Sequence, residues 1–128
     1  MNTPQRILVV DDEQEILDVY ATKLTMVGYE VSTALNGEEA IKMAKEKKPA
    51  LILLDLKMPV MDGMTALSKL KEDPETSAIK VVFLTAFSDP NVVDEDVAVA
   101  KEVGALDFLK KGIKLEELVS KVRSYIGE

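Results

Sequence analysis

The chain has neither cysteine nor histidine among its 128 residues. Without cysteine there are no disulfides and no thiolate metal sites, and the redox compartment stays undetermined. Without histidine there is no imidazole base, no imidazole metal ligand and no internal phosphohistidine. Apolar runs long enough to cross a bilayer are missing as well. The N-terminus, MNTPQRILVVDD, carries charge and polarity where a signal peptide would carry its hydrophobic segment, so a soluble, cytoplasmic protein is expected. Positive charge is in deficit: the net charge is −7, and the phosphates of nucleic acid would repel such a chain. Metal ions and basic protein surfaces are the expected partners, with no direct nucleic-acid binding and no membrane insertion.

What is present suits one domain over residues 1–128, since 47% apolar residues are enough for a single core. Four short runs rich in Ile, Val and Leu read as strands: ILVV at 7–10, LILL at 51–54, VVFL at 81–84 and a weaker ALDFL at 105–109. A fifth is YEVSTA at 29–34, where Tyr29, Val31 and Thr33 alternate with Glu30 and Ser32. Between and after the strands the apolar spacing turns helical: Ile16, Tyr20 and Leu24; Ala40, Ile41 and Ala44; Met64, Leu67 and Leu70; Val93, Val97 and Ala100; Leu115, Leu118, Val119, Val122 and Ile126. Gly28, Asn36-Gly37, Pro49, Asp62-Gly63 and Gly104 punctuate the borders. The alternation is (βα)5, an α/β fold with right-handed crossovers and a doubly wound parallel sheet. The last helical pattern runs almost to Glu128, so a stand-alone domain is expected.

In such a sheet, ligands bind beyond the carboxyl ends of the strands, where strand order reverses. The residues collected there are Asp11 and Asp12, Asp55, Thr85, and Lys110 with Lys111. If the order is 2-1-3-4-5, the first and third strands are neighbours and three carboxylates meet. Asp55 ends the run LILL, where an ionised carboxylate costs several kcal/mol to desolvate, on the order of 2–7 for a lone polar group and more for a charge, unless something compensates it. Oxygen-only ligands with open positions suit a hard ion such as Mg²⁺. A carboxylate beside that ion, with a hydroxyl and an ammonium in reach, is equipped to accept a phosphoryl group.

Each residue also has a plain structural reading. Asp12 with Glu15 fits a capping box, and capping and ligation can share one carboxylate. Asp55 suits an Asx-turn before Pro59, and Thr85 suits a helix N-cap or a strand-end filler. A lysine near a C-terminus is ordinarily a solvated surface residue, Phe108 fits the core, and Met58 to Met61 a rigid turn. Coincidence weighs against these readings, because complementary groups follow four different strands on one edge.

The motifs ILVVDDE at 7–13, LLDLKMPVMDG at 53–63, VVFLTA at 81–86 and GALDFLKK at 104–111 resemble those of the receiver domain of two-component response regulators. The resemblance covers essentially the whole chain and implies a flavodoxin-like sheet of order 2-1-3-4-5. It makes Asp55 the phosphoacceptor, Asp12 a direct Mg²⁺ ligand and Asp11 a second one, directly or through water. The backbone carbonyl of Lys57 would be the third protein ligand. Thr85 becomes the switch hydroxyl and Phe108 the switch aromatic, and the three-residue spacing from Phe108 selects Lys111 over Lys110. The implied phosphodonor is a histidine kinase or histidine phosphotransfer protein, in keeping with a chain that lacks histidine. Two features depart from the family pattern. Gly112 follows the lysine where proline is usual, with Ile113 where an aromatic is common, and residues 88–104 are longer by about one helical turn.

The expected activity is a phosphorylation switch rather than an enzyme acting on other molecules. The phosphoryl group on Asp55 attracts Thr85 and Lys111, Phe108 turns into the vacated space, and the surface of the fourth helix, fifth strand and fifth helix reports the change to an unknown downstream protein. Lys57 and Phe87, two residues beyond acceptor and hydroxyl, set the phosphoryl lifetime. One rival is a Mg²⁺-dependent phosphatase of haloacid-dehalogenase type, but Lys57 stands where its second Asp belongs. Flavodoxin-like mononucleotide binding is opposed by DDEQE, which repels phosphate. A third rival is a receiver-like interaction module that no longer switches.

Overall fold

The structure, a computed structural model, describes residues 3–85 and 94–127, side chains of 94–97 excepted. Strands β1 (Arg6–Val10), β2 (Glu30–Ala34), β3 (Leu51–Asp55), β4 (Lys80–Thr85) and β5 (Asp107–Lys110) alternate with helices α1 (Gln14–Met26), α2 (Gly37–Lys47), α3 (Gly63–Glu72), α4 (Asp94–Val103) and α5 (Leu115–Ile126). All five strands are parallel, in the order β2-β1-β3-β4-β5. The expected α/β fold is the one observed.

Successive strand residues point to opposite faces, and here that parity assigns side chains to two apolar layers. Ile7, Val9, Leu51, Leu53, Val82, Leu84 and Leu109 pack against Leu17, Tyr20 and Leu24 of α1 and Leu118, Val119 and Val122 of α5. Leu8, Val10, Ile52, Leu54, Val81 and Phe83 pack on the other face, against Ala40 and Ala44 of α2, Ala66, Leu67 and Leu70 of α3, and Ala100. Strands buried on both faces need no polar alternation, which is why β1, β3 and β4 read as continuous apolar runs. Edge strand β2 is mostly half-buried, from exposed Glu30 to buried Ala34. In α1 the buried stripe is Leu17, Tyr20 and Leu24; Ile16 sits at its margin, partly buried. The Val93 of the fourth helical pattern lies outside the described residues, as does Phe87, and so does much of the long segment 88–104.

Continuing the parity beyond the strand ends sets the site. Asp11 and Asp55 follow Val9 and Leu53 toward the α1/α5 layer, and Lys111 follows Leu109 there. Thr85 and Phe108 follow Phe83 toward the opposite layer. At the far end of that sheet edge, α5 is tied down by the Tyr125 hydroxyl, which donates to Asp107 Oδ2, and by Lys80 Nζ, which donates to the Tyr125 carbonyl at 2.6 Å.

Candidate functional site: an acidic corner with one lysine

The first carboxylates arrive on the turn after β1. Asp11 is fully buried; its N–H donates to the Ala34 carbonyl at 3.2 Å, and its Oδ1 accepts from Glu13 N–H at 2.9 Å. That bond occupies the turn, and α1 starts at Gln14 with Glu13 in the N-cap position and no side-chain cap. The capping box expected of Asp12 and Glu15 therefore does not form. Asp12 is exposed and carries no capping role.

Asp55 is the last residue of β3 and is 3% exposed. Its Oδ1 accepts from Lys57 N–H at 3.3 Å, so the Asx-type contact and a place in the acidic corner coexist. The loop that follows is pinned at both ends: Leu56 N–H donates to Leu84 O at 3.1 Å, and Gly63 N–H donates to Leu56 O at 2.9 Å. Gly63 is required there, because a Cβ would stand 2.5 Å from the Asp55 carbonyl and 2.8 Å from a Phe83 ring carbon. Asp62 then caps α3, accepting from Thr65 N–H at 2.8 Å. Within the loop, Val60 is exposed and holds φ +69, a conformation that β-branched residues rarely adopt.

Lys111 closes the corner. Its Nζ lies 2.9 Å from Asp11 Oδ2, 3.1 Å from Asp55 Oδ2 and 3.6 Å from Glu13 Oε1, and its N–H donates to Thr85 O at 2.7 Å. Lys110 ends β5 and is exposed, and parity sends it to the other face. Gly112 adopts φ +99, which the proline ring cannot reach, and the lysine is nonetheless held at four points.

Thr85 ends β4, and residues 86–93 between it and Asp94 of α4 lie outside the described residues. The Thr85 hydroxyl donates to Leu109 O at 3.5 Å, the long limit for such a bond. Phe108 is half-buried, its ring 5.3 Å from that of Phe83 and tilted 44°. Asp12, Glu13, Asp55, Leu56, Lys57, Thr85 and Lys111 line a cavity of about 230 Å³. Glu13 was not singled out by the sequence; its position within the DDE triplet is the only signal it offered.

Three carboxylates, Asp11, Asp12 and Asp55, bring oxygen atoms within 4.8 Å of one another, and the Lys111 ammonium pairs with Asp11 and Asp55. Burial, and then the Asp11 charge, push Asp55 up to about 6, against the pull of Lys111. Burial also raises Asp11, with Lys111 opposing. Burial alone would lower Lys111, but Asp11 and Asp55 outweigh it and hold the lysine above its ordinary value. Asp11 Oδ2 is ion-paired with Lys111 at 2.9 Å and has no other partner among the described residues. A buried lone pair, surplus negative charge and an all-oxygen donor set fit a hard divalent cation.

Comparison with known proteins agrees with this geometry. Residues 7–123 match the model of the response regulator receiver domain family, and the chain belongs to that family. It is 46% identical over 119 residues to "Response regulator PleD" of Caulobacter vibrioides and 38% identical over 125 residues to "Probable transcriptional regulator ycf27" of Pyropia yezoensis. These alignments take in 93% and 98% of the chain but only 25% and 49% of the relatives, so the chain spans half or less of the curated relatives it matches. Among solved structures, chemotaxis protein CheY4 of Vibrio cholerae superposes with a TM-score of 0.87 at 27% identity, over 96% of this chain and 99% of that one. The receiver domain of sensor histidine kinase PA1611 from Pseudomonas aeruginosa, with a magnesium ion coordinated in its active-site cleft, gives 0.83 at 26% identity, over 98% of this chain and all of that one. The fold is thus CheY-like, and among the described residues no helix is long and apolar enough to cross a membrane.

Proposed function

We propose that this receiver domain accepts a phosphoryl group on Asp55 from a phosphohistidine of a histidine kinase or phosphotransfer protein. The observation that carries the reading is the convergence of Asp55 with Asp11, Asp12 and Lys111 around one open cavity. An Asp55 carboxylate oxygen attacks phosphorus, the P–N bond of the donor breaks, and its electron pair stays on the imidazole, which takes up a proton. Asp11, Asp12, Asp55 and the Lys57 carbonyl would hold Mg²⁺, which when bound supplies positive charge to the oxygens of the transferring group. Lys111, already 3.1 Å from Asp55, is placed to pair with a phosphoryl oxygen. Thr85 on the opposite wall offers its hydroxyl to another, exchanging its 3.5 Å bond to Leu109 for a charge-assisted one.

The output follows from that exchange. Drawing Thr85 inward frees space beside Phe108, whose ring turns in and alters the α4–β5–α5 surface presented to a downstream protein. The domain catalyses only its own phosphorylation and dephosphorylation. Incubation with acetyl phosphate, with and without Mg²⁺, followed by intact-protein mass spectrometry, tests the chemistry. One Mg²⁺-dependent phosphoryl adduct is expected in the wild type and none in Asp55→Asn. An adduct that persists in the variant, or a wild type that takes up neither phosphoryl group nor beryllofluoride, overturns the reading.

A further inference from the structure

The mechanism above leaves Tyr20 unused. This residue of α1 is 3% exposed, and its hydroxyl has no hydrogen-bond partner among the described residues. Asp11 Oδ2 is another buried oxygen, held by Lys111 alone among the described residues. A buried hydroxyl left unpaired costs stability, so the two oxygens raise one question.

Three lines of geometry bring them together. Asp11 continues the parity of Ile7 and Val9 onto the face of β1 against which Tyr20 packs with Leu17 and Leu24. Side chains on a helix lean toward its N-terminus, and α1 begins at Gln14, three residues after Asp11. Tyr20 lies six residues into that helix, about 9 Å along its axis, so a phenol that follows this lean spans part of the distance to the helix start. The electrostatics agree: burial and then the Asp11 carboxylate push the Tyr20 phenol up, while Lys111 pulls it down. The phenol therefore stays protonated at neutral pH and has a proton to donate.

We infer that Tyr20 is a positioning residue whose hydroxyl stands by to donate a hydrogen bond to Asp11 Oδ2, taking that oxygen over when Lys111 leaves it. At present Lys111 Nζ occupies the approach, 2.9 Å from the oxygen. When the ammonium turns to a phosphoryl group on Asp55, the tyrosine keeps the Asp11 carboxylate oriented and links α1 to the site. Only the event that moves Lys111 rests on the function proposed above; the pairing of tyrosine and aspartate is testable without any phosphoryl group.

The test is a double-mutant cycle of Tyr20→Phe and Lys111→Met in metal-free protein, read by denaturant midpoint. In the wild-type background, Tyr20→Phe removes an unpaired hydroxyl and leaves the midpoint unchanged or raised. In the Lys111→Met background it removes the donor left to a buried carboxylate and lowers the midpoint. Lys111→Gln serves the same cycle if Lys111→Met does not fold. The second readout is the Cζ resonance of ¹³C-labelled Tyr20, which a purely structural tyrosine would not change. It is expected to shift between wild type and the Lys111 variant and to return when Asp11→Asn is added. Equal Tyr20→Phe effects in both backgrounds, or a Cζ resonance that ignores Lys111, overturns the inference and leaves Asp55 phosphorylation standing; loss of the phosphoryl adduct in wild type does the reverse.

Discussion

The two walls of the cavity are built differently. On the α1/α5 side, Lys111 is gripped by Asp11 and Asp55 at 2.9 and 3.1 Å, and both carboxylates are buried and further held by backbone N–H groups. On the opposite side, Thr85 has one hydroxyl bond at 3.5 Å, and Phe108 is a half-buried ring in tilted contact with another. The first wall fixes where charge sits; the second is free to respond. A switch needs that division, because a reacting group must be held still while the element that reports on it retains a second accessible arrangement.

Removing the proposed acceptor should erase the function of both walls at once. Asp55→Asn is expected to abolish the phosphoryl adduct while keeping the fold, as intact mass and circular dichroism would show. Next in size is Gly63→Ala, whose methyl has nowhere to go between the Asp55 carbonyl and Phe83. Denaturant unfolding should report a loss of about 3 kcal/mol, since a clash with backbone cannot be relieved by a rotamer change. Lys111→Met attacks the gripped wall alone, leaving buried carboxylates without their cation. A loss of about 2 kcal/mol at pH 7 without metal is expected, smaller than for a fully buried pair because Asp55 can take up a proton instead.

A pH series sharpens the comparison without mutation. Asp55 is raised in the folded protein from 3.8 to about 6. The folded state thus binds that proton more tightly than the unfolded chain does. The resulting stabilisation is complete below about pH 3.8 and disappears as pH rises through about 6, so metal-free protein loses stability across that window on this account. Mg²⁺ needs the ionised form. Calorimetric titration should show its affinity falling up to tenfold per pH unit below about 6 and levelling above it, and Asp55→Asn should flatten both trends. The smallest effect belongs to the free wall: Thr85→Val should change stability by less than about 1 kcal/mol, since the bond it removes is long, yet uncouple phosphorylation from any change around Phe108.

Much of this was legible in the sequence because parallel strands buried on both faces announce themselves as apolar runs, and the site residues directly follow those runs. The acidic corner was readable as a set of strand ends. The ion pairs of Lys111 with Asp11, Glu13 and Asp55 were not, since they join residues 56 to 100 positions apart, and its choice over Lys110 came only from the family resemblance, through the spacing to Phe108. The capping-box reading of Asp12 and Glu15 fails for a definite reason. Their spacing matches a capping box, but Asp11 had already taken the turn by accepting from Glu13, which moved the helix start one residue on. Tyr20 looked like one more core residue because periodicity registers its ring and is blind to its hydroxyl.

Gly112 leads to a question of chirality. Its φ of +99 belongs to the mirror-image half of backbone space, and a side chain built there meets nothing within 4 Å. An L-alanine at this position would be strained by its handedness alone, whereas a D-alanine, introduced by chemical ligation, would find the backbone conformation natural to its hand. The turn that carries Lys111 into the acidic corner is therefore one place where this protein would accept an amino acid of the opposite hand.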